Sequence, residues 1–499
     1  MSRRAGLLLH PTSLPGPFGV GDIGPAAERF LDFLAAAGQK LWQFLPLGPP
    51  AWAGSPYGAL SAFAGNPLLL SPERLFEDGL LARKDFSPLP RFPAGQVVFG
   101  KVDIYKEKLL RRAWERFRAG QGEIKAAEVE AFRHGQAQSF WLEEWAIFAA
   151  LKAAHGGKPH WEWKKTLAHR RPASIKQAAA QLRAEVDYQV FLQFLFARQW
   201  QRLRHEAGRR GVALMGDLPI YVARDSADLW SQPHLFDLDQ NLEPRHVAGV
   251  PPDYFSKDGQ LWGNPLYDWR RMAREGFRWW KQRVRANLAQ TDLVRLDHFR
   301  GFAGFWQVRA GERTARNGSW QPGPGAALFA ALAKDLGRLP LVAEDLGEIT
   351  PDVDQLRDAF GLPGMKVLQF GFGNESNGHT PHNVGKNTVV YTGTHDNDTA
   401  AGWTRKLSRE DRERFRLYTG GGAKEPGWTL IRAAYTTAAE IALVPVQDLL
   451  GLGNAARMNT PGKSRGNWAW RLAPGALRKE HADRLRRLAE VSERIPKNP

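Results

Sequence analysis

The chain has 499 residues, of which 43% are hydrophobic, and this allows a large core and fits an eightfold barrel of strands and helices with insertions. It contains no Cys, which excludes disulfides and thiolate metal sites, and no apolar run approaches the roughly 18 residues that span a bilayer. The formal net charge of +17 raises the question of a nucleic-acid partner.

The basic excess is confined to two stretches. Residues 101–210 contain 22 Lys and Arg against 12 Asp and Glu, residues 451–499 contain 11 against 4, and the rest of the chain is neutral. In both stretches the charges lie on the polar side of helical apolar patterns, and no known nucleic-acid module is present. We therefore expect solvated helix faces in a soluble, cytoplasmic protein, with no nucleic-acid or membrane partner.

Eight short apolar runs predict strands, and most of them are separated by amphipathic helical sequence. Strands that alternate with helices indicate βαβ units and a parallel sheet, and eight of them favour a closed (β/α)8 TIM barrel of the α/β class. In chain order, the predicted strands are 6–10, 40–47, 212–220, 293–297, 341–346, 365–370, 388–396 and 442–450.

Two gaps between predicted strands, 48–211 and 221–292, are longer than a crossover helix requires, so they predict insertions. The first insertion, approximately 50–210, is expected to be a mostly helical subdomain because its apolar residues recur at helical spacing. The second, approximately 221–290, is rich in Pro, Gly, Asp and aromatic residues. That composition predicts an ordered loop that covers a substrate cleft as a lid.

Three acidic residues each follow an apolar run near the end of a predicted strand. Asp297 ends LVRLD, Glu344 lies in LVAEDL and Asp396 ends TVVYTGTHD. The C-terminal ends of barrel strands converge on one face, where catalytic residues collect. A lone acid at a strand end is more often a helix N-cap or a loop anchor. Three together, flanked by Arg and His side chains that are costly to bury, favour a catalytic cluster.

The neighbours of these acids suggest different roles in cleaving a glycosidic bond by a retaining route. Arg295 lies two residues before Asp297 on the same side of the strand, and an adjacent Arg keeps a carboxylate ionised, as a nucleophile requires. Glu344 follows three apolar residues that could raise its pKa and suit it to acid/base work. Asp396, next to His395, would bind sugar hydroxyls and favour the distorted ring of the transition state.

Aromatic residues in Gly- and Pro-rich loops point to the same chemistry. Most of the 19 Trp residues should belong to the core, yet Trp262 in GQLWGNP and Tyr57 in GSPYGA lie in loops. Rings above a barrel can stack on the apolar faces of sugar rings. A glucan cleft is therefore a fair functional interpretation, with structural packing as the alternative.

Two short motifs fail as nucleotide sites. GLGNAA at 451–456 lacks the acidic residue that a dinucleotide site places about 20 positions later. Gly462-Lys463-Ser464 lacks the earlier Gly of a phosphate loop, because that position is Arg457. No zinc-protease or calcium-loop pattern is present, so we expect neither a metal nor a cofactor.

Ordered strings over nearly the full length resemble a 4-alpha-glucanotransferase of the amylomaltase or disproportionating-enzyme family, a relative of the alpha-amylase group. So many long strings in one order make the resemblance highly specific. They are LLHPTSLPGPFGVGDIG, WQFLPLGPP, SPYGALSAFAGNP, GDLPIYVARDSADLW, GVPPDYFSKDGQLWGNPLYDW, RLDHFRGF, AEDLG, YTGTHDND and QDLLGLGNAARMNTPG.

The resemblance implies one catalytic barrel over residues 1–499 with inserted subdomains and no separate C-terminal β domain. It implies Asp297 as nucleophile, Glu344 as acid/base and Asp396 as transition-state stabiliser. It further implies glucan contacts from Tyr57, Asp217, Asp253, Trp262, Asn264, Arg295 and His395.

The implied reaction is transfer of α-1,4-glucan segments, through a covalent glucosyl-enzyme, to the 4-hydroxyl of an acceptor glucan or glucose, with cyclic glucans as a further product. The implied partners are maltooligosaccharides, amylose or starch-like glucans, handled by a monomer or weak homo-oligomer. The residues themselves do not decide between sugar and water as the acceptor. A hydrolase and a non-catalytic starch-binding protein remain alternatives at this point.

Overall fold

The computed structural model describes residues 3–51, 54–252, 256–373, 377–421, 424–463 and 465–495. The eight predicted strands are all present, and they form one parallel sheet that curls into a (β/α)8 barrel, as the sequence predicts. The barrel strands are β1 (Arg4–Leu8), β2 (Leu41–Gln43), β3 (Ala213–Leu218), β6 (Leu293–Leu296), β9 (Leu341–Ala343), β10 (Gly364–Val367), β11 (Thr388–Tyr391) and β12 (Ile441–Pro445). The remaining strands are β4 (His246–Val250), β5 (Gln260–Pro265), β7 (Gly304–Arg309) and β8 (Ser319–Pro322).

The barrel strands pair in the order β10-β11-β12-β1-β2-β3-β6-β9. The two end strands meet through the backbone, since the Ala343 N–H donates to the Pro363 carbonyl at 2.8 Å beside the start of β10. Inward-pointing side chains fill the barrel as a packed plug, which is the packing expected of this fold. The fully buried members of that plug are Leu41, Met215, Val342, Met365, Val367, Val389, Tyr391, Ile441 and Leu443.

Helices surround the barrel, and a group of them lies between β2 and β3. Pro at the first turn begins several of them, where its missing N–H costs nothing. The α-helices of the described residues are α1 (Pro25–Ala36), α2 (Pro72–Glu77), α3 (Phe99–Arg118), α4 (Ala126–Arg133), α5 (Leu142–Ala154), α6 (Lys165–Ala168), α7 (Pro172–Gln181), α8 (Arg183–Arg209), α9 (Ala227–Ser231), α10 (Trp269–Arg274), α11 (Arg278–Gln290), α12 (Arg300–Ala303), α13 (Gly325–Leu336), α14 (Pro351–Ala359), α15 (Ala400–Lys406), α16 (Arg409–Thr419), α17 (Pro426–Thr436), α18 (Val446–Leu449) and α19 (Lys479–Val491).

Short 3₁₀ helices connect many of these elements. They lie at Pro11–Ser13, Pro67–Leu69, Arg83–Phe86, His160–Glu162, Pro233–Leu235, Leu368–Phe372, Pro381–Asn383 and Asn454–Ala456. In the part of the chain that the structure describes, no helix combines the length and the apolar character needed to cross a bilayer.

The region predicted as a Pro- and Gly-rich loop contains regular structure that the sequence did not reveal. Strands β4 and β5 pair as an antiparallel hairpin, and β4 also pairs with β7, which pairs with β8. The resulting sheet has the order β5-β4-β7-β8. Two of its strands precede β6 in the chain and two follow it. The hydrogen bonds between β4 and β7 join strands that are distant in the sequence, and the Gly and Pro residues of this sheet lower the local strand propensity. The sequence pattern therefore does not predict these strands.

Candidate active site

The polar floor of the site follows from the side-chain period of two along a parallel strand. Met215 points into the buried plug, so Asp217, two residues later on β3, also points inward at the top of the barrel. The same step leads from Val342 on β9 to Glu344 just beyond it. On both strands, a step of two residues therefore leads from a buried apolar side chain inside the barrel to a charged side chain at its mouth.

Arg295 is the electrostatic centre of this floor. Its Nη1 lies 2.8 Å from Asp217 Oδ1 and 2.9 Å from Asp297 Oδ1, and its side chain is only 5% exposed. Burial by itself lowers the pKa of Arg295, but the negative charges of Asp217 and Asp297 outweigh it and raise that pKa well above its ordinary value. Arg295 is thus a permanent cation, shared by two carboxylates rather than dedicated to Asp297.

Glu344 lies beside this group and is held by the backbone. Its Oε2 accepts from the His298 N–H at 2.7 Å, and its Oε1 accepts from the Leu346 N–H at 3.1 Å. Burial raises the pKa of Glu344 to about 8, Arg295 opposes this, and the negative charge of Asp297 adds to it. A carboxyl group that keeps its proton near neutral pH can act as a general acid. The raised pKa agrees with the expectation from the apolar residues before it.

His298 reaches its position through an unusual backbone conformation. Its φ is +54°, in the left-handed region that residues other than Gly rarely adopt. This turn, directly after Asp297, aims the His298 N–H at Glu344. Burial lowers the pKa of the His298 ring to about 4, so the ring is neutral near neutral pH.

Strand pairing sets the spacing of the two central carboxyl groups. In the register of β6 and β9, Arg295 lies opposite Val342 and Leu296 opposite Ala343. Asp297 and Glu344 are the next residues after these last paired positions, and the Glu344 N–H donates to the Leu296 carbonyl at 3.1 Å. Because the backbones of adjacent strands lie about 4.8 Å apart, side chains that leave two neighbouring strand ends on the same side can reach the roughly 5–5.5 Å separation of the carboxyl groups in retaining glycosidases.

Asp396 lies on the loop after β11, at another part of the barrel mouth. Its Oδ1 accepts from Asn459 Nδ2 at 2.7 Å and lies 3.3 Å from His395 Nε2. Its backbone carbonyl accepts from Arg457 Nη2 at 2.7 Å. The carboxylate side chain remains 42% exposed, so it is accessible to a ligand.

Tyr57 connects the two parts of the site. Its hydroxyl group donates to Asp217 Oδ2 at 2.6 Å, and its ring stacks on His395 with centroids 5.2 Å apart. Burial of the hydroxyl group and the charge of Asp217 raise the pKa of Tyr57 well above its ordinary value, with smaller contributions from Asp297 and Asp396. The structure thus brings together Tyr57, Asp217, Arg295, Asp297, Glu344, His395 and Asp396.

The antiparallel sheet supplies two further predicted residues. Trp262 on β5 is 37% exposed, and its ring lies edge-on to His298 at 4.7 Å. Asn264 donates from Nδ2 to the Val222 carbonyl at 2.8 Å, a contact that holds β5 against the loop after β3. Asp253 lies outside the described residues, so its predicted glucan contact stays a prediction.

Three residues of this site were not among the sequence-predicted contacts. Arg457 and Asn459 touch Asp396, and the Trp468 ring lies 5.7 Å from Tyr57 and 6.0 Å from His395. Arg457 and Asn459 fall in the string QDLLGLGNAARMNTPG, which contributed to the resemblance, but nothing local in that string indicates that it returns to the barrel mouth.

Comparisons with known proteins give consistent matches over nearly the whole chain. A family model described as 4-alpha-glucanotransferase, of glycoside hydrolase type 77, matches residues 9–477. The 4-alpha-glucanotransferase of Synechocystis sp. is 49% identical over 481 residues, which are 95% of each chain. That of Thermus thermophilus is 46% identical over 504 residues, covering 99% of this chain and all of its own. The amylomaltase of Streptococcus agalactiae in complex with acarbose superimposes with a TM-score of 0.95 at 35% identity, over 99% of both chains.

Proposed function

Since the chain belongs to the 4-alpha-glucanotransferase family, we propose that it transfers α-1,4-glucan segments by a retaining double displacement at the barrel mouth. The observation that carries the mechanism is the placement of Asp297 and Glu344 directly after the two paired strands β6 and β9, with Arg295 2.9 Å from the first and burial raising the pKa of the second to about 8. One member of the pair is set up to attack and the other to donate a proton.

In the first step, Asp297 attacks the anomeric carbon of the donor glucan, and the bond from that carbon to the glycosidic oxygen breaks. Glu344 gives its proton to this oxygen, so the departing oligosaccharide leaves with a free 4-hydroxyl group. The product of the step is a covalent glucosyl-enzyme with inverted configuration. The Arg295 cation, 2.9 Å from Asp297, holds the nucleophile in place.

In the second step, Glu344, now ionised, removes the proton from the 4-hydroxyl group of an acceptor sugar. The acceptor oxygen attacks the anomeric carbon, the bond to Asp297 breaks, and the original configuration is restored. Because Glu344 regains its proton in this step, the enzyme returns to its starting state. The raised pKa of Glu344 keeps its proton in place near neutral pH before the first step, and it makes the ionised group a stronger base in the second.

The surrounding residues would bind and distort the sugar. Asp396 offers an accessible carboxylate to sugar hydroxyl groups, and Tyr57 and Trp262 offer ring faces or edges in the same cleft. The S. agalactiae amylomaltase was solved with acarbose, which supports an oligosaccharide ligand here. We propose maltooligosaccharides, amylose or starch-like glucans as substrates of a monomer or weak homo-oligomer.

Sugar rather than water is proposed as the acceptor. The hairpin of β4 and β5 places Trp262 beside His298 next to the catalytic pair. We propose that the inserted segment of approximately 221–290 acts as a lid that excludes water and orients the acceptor, while the helical segment of approximately 50–210 forms a separate subdomain. The same reaction on a chain's own non-reducing end would produce cyclic glucans.

Incubation with maltotriose tests this function. A transferase yields glucose together with a ladder of longer maltooligosaccharides, whereas a hydrolase yields only shorter products with rising reducing ends. Asp297→Ala should abolish both product types without loss of helical circular dichroism. The matched control is Asp483→Ala on α19, where the carboxylate pairs with Lys479 at 2.6 Å on the surface and should not affect turnover. Full activity of Asp297→Ala would remove Asp297 as nucleophile.

A further inference from the structure

The segment after β12 returns to the barrel mouth and contacts the loop that carries Asp396. The Asn459 N–H donates to the His395 carbonyl at 3.1 Å, and Asn459 Nδ2 donates to Asp396 Oδ1 at 2.7 Å. One residue therefore binds the loop twice, once through its backbone and once through its amide.

Arg457 fixes this contact from the other side. Its Nε donates to the Asn459 carbonyl at 3.1 Å and its Nη2 to the Asp396 carbonyl at 2.7 Å. Its Nη1 forms an ion pair with Asp398, which also binds Lys406 at 2.7 Å. The guanidinium group thus joins the backbone on both sides of the Asn459–Asp396 bond.

The returning segment is itself ordered next to this bond. The Trp468 N–H donates to the Met458 carbonyl at 2.6 Å, and the Thr460 N–H donates to Asn467 Oδ1 at 3.0 Å. The Trp468 side chain is 8% exposed and packs beside Tyr57. Asn459 is therefore presented from a folded turn.

We infer that Asn459 is a positioning residue for the transfer reaction: its amide group fixes the rotamer of Asp396 and directs the second carboxylate oxygen into the cleft. Among the described residues, the contacts of the carboxylate with Asn459 and His395 both fall on Oδ1, which leaves Oδ2 for a sugar hydroxyl group. An amide donor achieves this without a positive charge that would compete with the sugar ring of the transition state for the carboxylate. The inference rests on the proposed function, because it assigns Asp396 a role in that reaction.

Removing the amide should affect the rate more than the binding of substrate. In Asn459→Ala, the carboxylate of Asp396 gains rotational freedom, and kcat for maltotriose should fall about 10- to 100-fold with KM changed by less than about threefold, as expected when a charge-assisted hydrogen bond acts mainly in the transition state. A purely structural role would instead lower the thermal midpoint and the folded fraction, while kcat per folded molecule would stay at the wild-type value.

Asn459→Asp gives a signature that a structural role would not. Two carboxyl groups within hydrogen-bond distance share one proton, which strongly raises the pKa of the pair. While that proton is present, the introduced group can donate to Asp396 as the amide does, and when it is lost the two charges repel each other. The kcat of this variant, divided by that of wild type, should therefore rise as pH falls from about 8 to about 5.

The matched control is Asn387→Asp, an exposed residue just before the start of β11 and thus at the opposite end of that strand from the Asp396 loop, where Nδ2 donates to the Leu362 carbonyl at 3.3 Å. Its kcat relative to wild type should not vary with pH. The inference is overturned if Asn459→Ala keeps the wild-type kcat, or if the relative kcat of Asn459→Asp is independent of pH. A wild-type protein that forms no ladder from maltotriose would instead overturn the proposed function, and this inference with it.

Discussion

Replacing Glu344 by Gln should reverse the order of stability between variant and wild type as pH rises. The carboxyl group of Glu344 has an ordinary pKa of 4.5, and burial, with the Asp297 charge, raises it to about 8 in the folded protein. The folded state thus resists ionisation of Glu344 and the unfolded chain does not. Gln carries no ionisable proton, so position 344 adds no pH dependence to the free energy of unfolding of the variant.

The sign follows from proton binding. Below about pH 4.5 both states of wild type keep the proton on Glu344, and the raised pKa changes nothing. Between about 4.5 and 8 the unfolded chain loses the proton while the folded protein retains it, so wild-type stability falls as pH rises. Above about 8 both states are ionised and the loss is complete.

The size of the effect can be bounded. A difference of about 3.5 pKa units corresponds to at most about 5 kcal/mol of lost wild-type stability above pH 8. Against this, Gln has only one acceptor oxygen, whereas Glu344 accepts from the N–H groups of both His298 and Leu346. One unpaired N–H costs about 1–3 kcal/mol at any pH. The variant should be the less stable protein at about pH 4 and the more stable one at about pH 8.

Urea denaturation of both proteins between about pH 4 and pH 9 measures this difference. Other buried acids, such as Asp228 and Asp448 with pKa values raised by burial to about 6, titrate equally in both proteins and cancel. Glu490→Gln on α19 is the control, because that side chain is 52% exposed and its substitution should leave the difference flat. A difference between Glu344→Gln and wild type that stays constant with pH would refute the raised pKa. Loss of the maltotriose ladder in Glu344→Gln is expected at every pH.

The remaining predictions concern the same cleft. The kcat/KM for maltotriose should fall above about pH 8, because Glu344 of the free enzyme then loses the proton that it must donate. A profile that stays level to about pH 10 would contradict this role. Tyr57→Phe removes the hydroxyl group that donates to Asp217 at 2.6 Å, and its free energy of unfolding in urea should drop by about 1–3 kcal/mol; an unchanged value would mean that the bond contributes nothing. Trp262→Ala removes a ring that is 37% exposed, so KM for maltotriose should rise while the thermal midpoint stays within a few degrees; a large fall in the midpoint would place Trp262 in the core instead.

The sequence determined the barrel strands and the positions of their terminal acids. Runs such as LVRLD and LVAEDL combine β-branched and apolar residues with a polar end, and the period of two fixes which side chains face inward. Because this information is local, the sequence predicts β6 and β9 and places Asp297 and Glu344 at their ends.

The tertiary structure alone decided which charges meet and how strongly. The sequence predicts Arg295 beside Asp297, but the hydrogen bonds of Arg295 to both oxygens of Asp217, 78 residues earlier in the chain, depend on the pairing of β3 with β6. The pKa of Glu344 depends in the same way on burial and on charges from other strands. Ion pairs and pKa shifts of this kind arise only when segments distant in the sequence pack together and exclude water.

The same reason explains the antiparallel sheet and the residues around Asp396. Strand β4 precedes β6 in the chain and β7 follows it. Each has a sequence with only weak strand propensity, and each is stabilised as a strand by its pairing with the other. Asn459 follows Asp396 by 63 residues and reaches it because β11 and β12 are parallel neighbours, so the segments that follow them share the barrel mouth. The sequence determined which chemical groups the barrel mouth would hold, whereas the long-range folding of the chain decided their partners, because hydrogen bonds and burial between distant segments leave no periodic signal in the residues that form them.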